Sequence, residues 1–389
     1  MDRNGALLES LYRAALAGAD PRRAVVRALE DRAVSRRLNS AGRVGVFAVG
    51  KAAAAMARGV PGAFFEAALV IVPRGQGGAA GLRRRNIEIL EASHPEPDAS
   101  SVAAARRAIR FFEGFGPRDV ILCLVSGGTS SLLCLPRAGL TLTAKRRRIR
   151  DAASSGMPIA GLNRLRTSLS AVKGGRLGRR TRAALVTLVL SDVAGDRPET
   201  VGSGPTIRGG RRDLVRLAGS NRSGLLAARR RARELGLRVV LRRRRLTGEA
   251  VEEGERIGRQ AVRLPSGTVL LAGGETTVRL PPKPGRGGRA LELALGAAKS
   301  VEGSPVTLLS AGSDGRDGSS RAAGARADGT TLARARRLGL SAGRALERHD
   351  TEPFFEALGD LFVTGSTGTN VADWVFAVRP RESPAGSAS

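Results

Sequence analysis

VGVFAVGKAAAAMARG, residues 44–59, decides the fold class. Its first half is an unbroken apolar run, it halts at Gly50-Lys51, and an alanine-rich helical segment follows at once. That is the strand, turn and helix succession of an α/β unit. Working outward, five more apolar runs stop in small-residue or acidic clusters: ILCLVSGGTSS (121–131), TLVLSDVAGD (187–196), VLLAGGET (269–276), VTLLSAGSDGRDG (306–318) and LFVTGSTGTN (361–370). Such runs read as buried strands of a largely parallel sheet. In these sheets ligands bind outside the carboxyl ends of the strands, where backbone N–H groups and helix N-termini receive anions. The expectation is a chain built to hold a charged small molecule at several strand ends.

At 389 residues with 42% hydrophobic content the chain suits two domains with real cores. No run of about 18 apolar residues occurs, so no membrane span is expected. The N-terminus, MDRNGALLESLYRAALAGAD, is amphipathic and does not read as a secretory signal. Two cysteines, Cys123 and Cys134, lie in or beside apolar sequence and read as core residues rather than as a disulfide or zinc framework. His94 and His349 are too few for a histidine metal site. Cytoplasmic residence is the expectation.

The net charge of +30 invites a nucleic-acid reading. The arginines are scattered along the chain, however, and aromatic residues make up only 3%, too few for base-stacking platforms. No specific nucleic-acid partner is expected, only salt-sensitive adhesion. Among the 65 basic residues only Lys51, Lys145, Lys173, Lys283 and Lys299 are lysines. Lys145 and Lys299 read as ordinary surface residues; Lys51 follows a strand directly, where a compact ammonium differs from a planar guanidinium.

Helices are expected within 5–38, with a start at Asp20-Pro21, and over 99–114, 141–155, 158–171, 211–235, 289–299, 328–338 and 351–358. Strands are expected at 44–50, 67–73, 120–125, 185–191, 238–244, 269–273, 306–310, 361–363 and 374–378. The domain boundary is placed in the charged stretch before 268, giving domains 1–255 and 256–380 and a disordered tail over 381–389.

Gly45 to Lys51 matches G-x-x-x-x-G-K, but VFAV belongs in a strand and Ala52 stands where a P-loop has Ser or Thr, so no P-loop is read here. What remains is a lysine at a strand's carboxyl end. Ser126, Gly127 and Gly128 can form an anion-binding nest, and KGGRL repeats the theme with Lys173 and Arg176. Asp192 and Asp196 follow a strand, where carboxylates hold Mg2+ or orient a hydroxyl; helix capping and turn formation compete with that reading. SDGRDG brings Asp314 and Asp317 to another strand end. GRGGRALELAL is a flexible glycine arm ending in Arg289 at a helix start, suited to charge on a moving phosphate.

Taken in order, VGKAAAAMA, SHPEPDA, LVSGGTSSLL, LSAVKGGRL, VTLVLSDVAGD, GSGPT, GGETTV, GRGGR, GSDGRDG and PFFEALGDLFVTGSTGTN resemble the glycerate 2-kinase family, also met under a hydroxypyruvate reductase label. The resemblance runs from about residue 40 to 380. It implies an α/β fold with a Rossmann-like N-terminal domain, a smaller C-terminal α/β domain and an active cleft between them. It further implies phosphorylation of the 2-hydroxyl of D-glycerate by ATP with Mg2+, giving 2-phosphoglycerate, and it leaves room for a homodimer. Carried over by motif, Lys51 and Arg289 are expected as the principal, catalytic cations of the active cleft; Asp192, from its place after a strand, is the candidate for orienting the hydroxyl or the metal, with Asp196 as a second metal ligand. Ser126, Gly127, Gly128, Lys173, Arg176, Glu275, Asp314 and Asn370 are expected to bind substrate or nucleotide.

The chain departs from the family pattern at Thr129 (usually Gly), Thr167-Ser168 (Lys-His), Ala290-Leu291 (Asn-Gln), Arg321 (Asp) and Arg348-His349 (an Asn pair). A catalytically weak or inactive paralogue that binds a small anion is therefore the alternative. A reductase is less favoured, because no G-x-G-x-x-G follows the first strand.

Overall fold

β1 (Val44–Val49) is buried at every residue but its first and lies between β2 (Ala67–Pro73) and β4 (Val120–Val125). In this computed structural model, which describes residues 3–76, 82, 85–193 and 195–381, the chain forms two units, 20–220 and 1–19 with 221–389. The sheet of the 20–220 unit is completed by β3 (Ile87–Ala92), β5 (Ala184–Ser191) and β6 (Leu214–Ser220). Its order is β3-β2-β1-β4-β5-β6 with every pairing parallel. This is the Rossmann order, in which the strand sequence reverses between β1 and β4 and leaves a crevice at their carboxyl ends. β4 and β5 are buried at every position, which is why they read as continuous apolar runs.

After α1 (Arg3–Gly18), which belongs to the other unit, the helices of this unit are α2 (Pro21–Leu29), α3 (Arg32–Asn39), α4 (Ala53–Ala57), α5 (Ala99–Glu113), α6 (Thr129–Leu132), α7 (Leu142–Ser154) and α8 (Ile159–Ser168). Asp20 caps α2 by accepting the Arg23 N–H at 2.7 Å, as the Asp-Pro start signal requires. Phe112 of α5 packs edge-on against Phe47 of β1, centroids 5.1 Å apart, in a core with Ile121, Cys123 and Leu185.

The second unit holds a mixed sheet of β7 (Arg238–Leu241), β8 (Thr268–Gly274), β9 (Thr307–Gly312), β10 (Gly324–Asp328), β11 (Leu361–Phe362) and β12 (Asp373–Arg379), in the order β11-β10-β9-β12-β8-β7. Only β7 and β8 pair in parallel; the other pairings are antiparallel. Its helices are α9 (Asn221–Glu234), α10 (Ala250–Val262), α11 (Arg289–Val301), α12 (Thr331–Arg337), α13 (Ala342–Glu347) and α14 (Thr351–Leu358). α1 joins this unit: Leu8, Leu11 and Tyr12 are fully buried, and the Tyr12 ring stands edge-on to Phe362 and Trp374.

Four expectations are corrected. The stretch 211–235 is not one helix, since LVRLAGS forms β6 beside β5 and the helix begins at Asn221. IEILEA, over 87–92, is a strand that the reading passed over, half-exposed at a sheet edge and therefore without a buried strand's apolar run. The start of the expected 328–338 helix is preceded by β10, and β12 lies antiparallel between β8 and β9, so the second sheet is not largely parallel. The expected boundary at 255 falls inside α10; the units part at 220, because β7 pairs with β8 and α9 packs on α1. Of the expected disordered tail, 382–389 lies outside the described residues.

Candidate functional site

Each unit carries a cluster of charged residues at its strand ends. In the 20–220 unit it forms at the β1/β4 reversal. Gly50 has φ +124°, and a Cβ there would lie 2.2 Å from Ser126 Oγ, so only glycine lets the two strand ends approach this closely. Ser126 is fully buried; its hydroxyl accepts the Ala52 N–H at 3.1 Å, and Lys51 N–H donates to Gly127 O at 2.8 Å. The hydroxyl expected to bind ligand thus staples the turn, which presents Lys51 two residues before the short α4 rather than in a helical turn.

Gly128, with φ +85°, is flanked on one side by Lys51 and His94: a Cβ on it would meet Lys51 Cγ at 3.1 Å and the His94 ring at 3.2 Å. Burial, reinforced by the Lys51 charge, holds the His94 pKa below its ordinary value, so the imidazole is neutral at pH 7. His94 carries no local signature of a role, because its partners lie far along the chain. Among the described residues no carboxylate pairs with Lys51. Thr129, where the family has glycine, is buried, donates to Ser126 O at 2.7 Å and packs against Gly202, where a Cβ would lie 2.5 Å from Thr129 Cβ.

Lys173 is 3% exposed, and burial, then the nearby Lys145 charge, push its pKa down to about 7. Arg176 spends one guanidinium nitrogen on the carbonyls of Thr167, Ser170 and Lys173 at 2.7–3.1 Å, shaping the KGGRL turn. Asp192 is half-buried at the end of β5, and the Asp196 carboxylate accepts the Ser191 hydroxyl at 2.8 Å. Among the described residues no three or more His, Cys, Asp or Glu side chains gather as a metal cage. Two carboxylates at one strand end still fit Mg2+ carried in on phosphates, since that ion keeps waters and takes only one or two protein oxygens.

In the other unit Arg289 opens α11, as expected from the glycine arm. Its Nε donates to Asp373 at 2.6 Å, Nη2 to the same carboxylate at 3.2 Å, and Nη1 to Glu275. Burial opposes the charge on Arg289, but Asp373, with Glu275 and Asp317, more than offsets it and raises its pKa. Gly288 lets the backbone pass Asp317, where a Cβ would sit 2.4 Å from the carboxylate, and Asp317 accepts the Leu291 N–H at 2.8 Å. Burial and the Asp373 charge push Asp317 up to about 7. Burial also raises Asp373, against the pull of Arg289.

The glycine arm is not loose: Gly285 N–H donates to Arg348 O, Arg286 N–H to the Asp350 carboxylate, and Gly287 N–H to Ser319 Oγ, at 2.9–3.1 Å. Asp314, half-buried, accepts the Arg316 N–H, and Asn370 is buried in the loop before Val371. Tyr12 of α1 donates to Gly312 O at 2.7 Å; burial, then the Asp314 and Asp373 charges, raise its pKa against a hydrogen bond with Thr364. Ala290 and Leu291, departures from the family, are buried. Arg321 turns to Glu356 and Glu352 of α14, and His349, at φ +52°, bonds Glu292 at 2.8 Å. Burial raises Glu292, with that histidine opposing. Asp373, Tyr12 and His94 are the site residues that sequence reasoning missed.

A parallel Rossmann sheet in one unit and a mixed sheet in the other, each with charged residues gathered at strand ends, define a two-unit α/β protein. Residues 7–216 match a family model described as a domain of unknown function, DUF4147, and residues 268–373 match the MOFRL family. The chain is 37% identical to the "Putative hydroxypyruvate reductase" of Agrobacterium vitis, over 94% of this chain and 92% of that one. It is 30% identical to the glycerate 2-kinase of Pyrococcus horikoshii over 94% of both chains. The crystal structure of a glycerate kinase from Thermotoga maritima superposes with a TM-score of 0.82 at 31% identity, covering 95% of this chain and all of that one. The chain belongs to the glycerate kinase family.

Proposed function

We propose that the protein is a kinase that transfers the γ-phosphoryl of ATP to the 2-hydroxyl of D-glycerate, giving 2-phosphoglycerate. The observation that carries this reading is Lys51, a cation without a carboxylate partner among the described residues, held at the β1/β4 reversal by a turn that only glycine permits. Phosphoryl transfer asks the protein mainly to position groups and to neutralise charge on the moving phosphoryl, a task that suits an ammonium at a strand end.

In this reading Lys51 neutralises phosphate charge, and the neutral His94 beside it accepts or relays the proton of the attacking hydroxyl. The family resemblance also gives Arg289, kept charged by Asp373, a catalytic role. Asp192 and Asp196 would hold Mg2+, which neutralises charge on the phosphates of the nucleotide. The relative named as a reductase does not redirect the proposal, because Gly50 is followed by Lys51 and four alanines, not by a G-x-G-x-x-G turn.

A coupled assay with ATP, Mg2+ and D-glycerate tests it. Lys51→Ala is expected to lower kcat by about 10²–10³, the usual cost of removing one preorganised charge-stabilising donor. Turnover in the unaltered protein no greater than in Lys51→Ala would sink the proposal. NADH oxidation with hydroxypyruvate would install the reductase in its place.

A further inference from the structure

α7 is a strongly basic helix whose one buried side chain is a lysine. Lys145 is 1% exposed, and among the described residues its ammonium nitrogen has no oxygen or nitrogen acceptor, only the Cys134 thiol beside it. A buried polar group left unsatisfied is costly, and an uncompensated buried charge more so, so the position needs an explanation beyond packing.

Its surroundings are cationic. Lys173 and Lys145 repel each other, Arg166 adds to the repulsion, and the interacting group of opposite sense is the thiol of Cys134, itself 2% exposed; among the described residues no carboxylate is one of the groups acting on either lysine. The backbone brings Cys134 and Lys173 together. Pro136 bridges antiparallel to Ser170, Ala171 N–H donates to Leu135 O at 2.9 Å, and Arg137 N–H to Leu169 O at 3.2 Å, which aligns Cys134 with the approach to Lys173. The next residue, Gly174, donates its N–H to Ser203 O at 2.9 Å, and Ser203 Oγ lies 3.1 Å from Ser130 Oγ. Lys173 is therefore tied through its neighbour Gly174 to the hydroxyl loop after β4.

We propose that Lys145 and Lys173 form a buried oxyanion subsite next to the Ser130–Ser203 hydroxyl pair. It takes either a carboxylate, as of a small hydroxy acid, or a phosphate. An anion supplies the acceptors that the Lys145 ammonium lacks and the opposite charge that both lysines lack. The subsite deepens the kinase reading and names a residue, Lys145, that its position on a basic helix disguises as surface.

Isothermal titration on the full chain, without nucleotide, tests the subsite with two probes, D-glycerate alone and inorganic phosphate alone. The unaltered protein is expected to bind at least one of them, with affinity falling about tenfold or more in both Lys145→Met and Lys173→Met. The probe whose affinity falls identifies carboxylate or phosphate as the ligand. Should Lys145→Met fail to fold, as judged by circular dichroism, Lys145→Gln with Lys173→Met decides in the same way. Unchanged affinity in the folded variants, together with a raised Tm, overturns the proposal and leaves Lys145 a buried amine with no ligand. Binding of neither anion by the unaltered protein overturns it too. Phosphoryl transfer by variants of undiminished anion affinity would remove the subsite and leave the kinase standing; anion binding without turnover in the unaltered protein would do the reverse.

Discussion

Asp317 couples the charge of the Arg289 site to stability. Its folded pKa of about 7 lies above its ordinary value of 3.8, so the native state holds the proton more tightly than the unfolded chain. The contribution is complete below about pH 4 and is lost as the pH rises through 7, on the order of 4 kcal/mol over that window. Asp317→Asn is expected to flatten the fall in urea-unfolding stability between pH 4 and 7; an unchanged slope refutes the assignment. Asp373→Asn frees Arg289 from its buried carboxylate while Glu275 remains, and should cost about 1–3 kcal/mol in stability. Its kcat should fall more than its KM rises, because a displaced guanidinium is missed most in the transition state. Arg289 was legible in the sequence from the glycine arm and helix start; Asp373 was not, since an ion pair spanning 84 residues leaves no local pattern.

Among elements, the turn after β1 carries the most specific requirement. Gly50→Ala places a Cβ 2.2 Å from Ser126 Oγ at φ +124°, combining a steric collision with left-handed backbone strain. A loss of roughly 2–4 kcal/mol is expected by denaturant titration, with ligand binding at Lys51 disturbed as well. The strands that were legible, such as β2, β4 and β5, are apolar on both faces. LVRLAGS, which is β6, was taken for helix because an edge strand is only half-buried, and Arg216 and Gly219 break its apolar run. Arg208 donates to Gly178 O, Thr181 O and Ala183 O at 2.5–2.7 Å and pairs with Asp213 at 2.9 Å, holding the loops before β5 and β6 together.

For the whole molecule the decisive fact is that the second unit is built from both ends of the chain. Deleting residues 1–19 removes Leu8, Leu11 and Tyr12 from its core, each worth about 1.5–3 kcal/mol in burial. Hydrogen exchange on the shortened chain should show protection lost over 221–381 and kept over 20–220; uniform loss would contradict the division. No described helix is long and apolar enough to cross a membrane, in line with the composition. The sequence by itself determined the α/β class, most central strands, the capped start of α2 and the cations Lys51 and Arg289, because apolar period, turn residues and caps act within a few residues of one another. Only the tertiary structure decided the boundary at 220, the insertion of β12 between β8 and β9, and the gathering of His94 with Lys51, Asp373 with Arg289 and Lys145 with Lys173. Those follow from pairing and burial between segments tens to hundreds of residues apart, whose energy depends on where the backbone has already been placed.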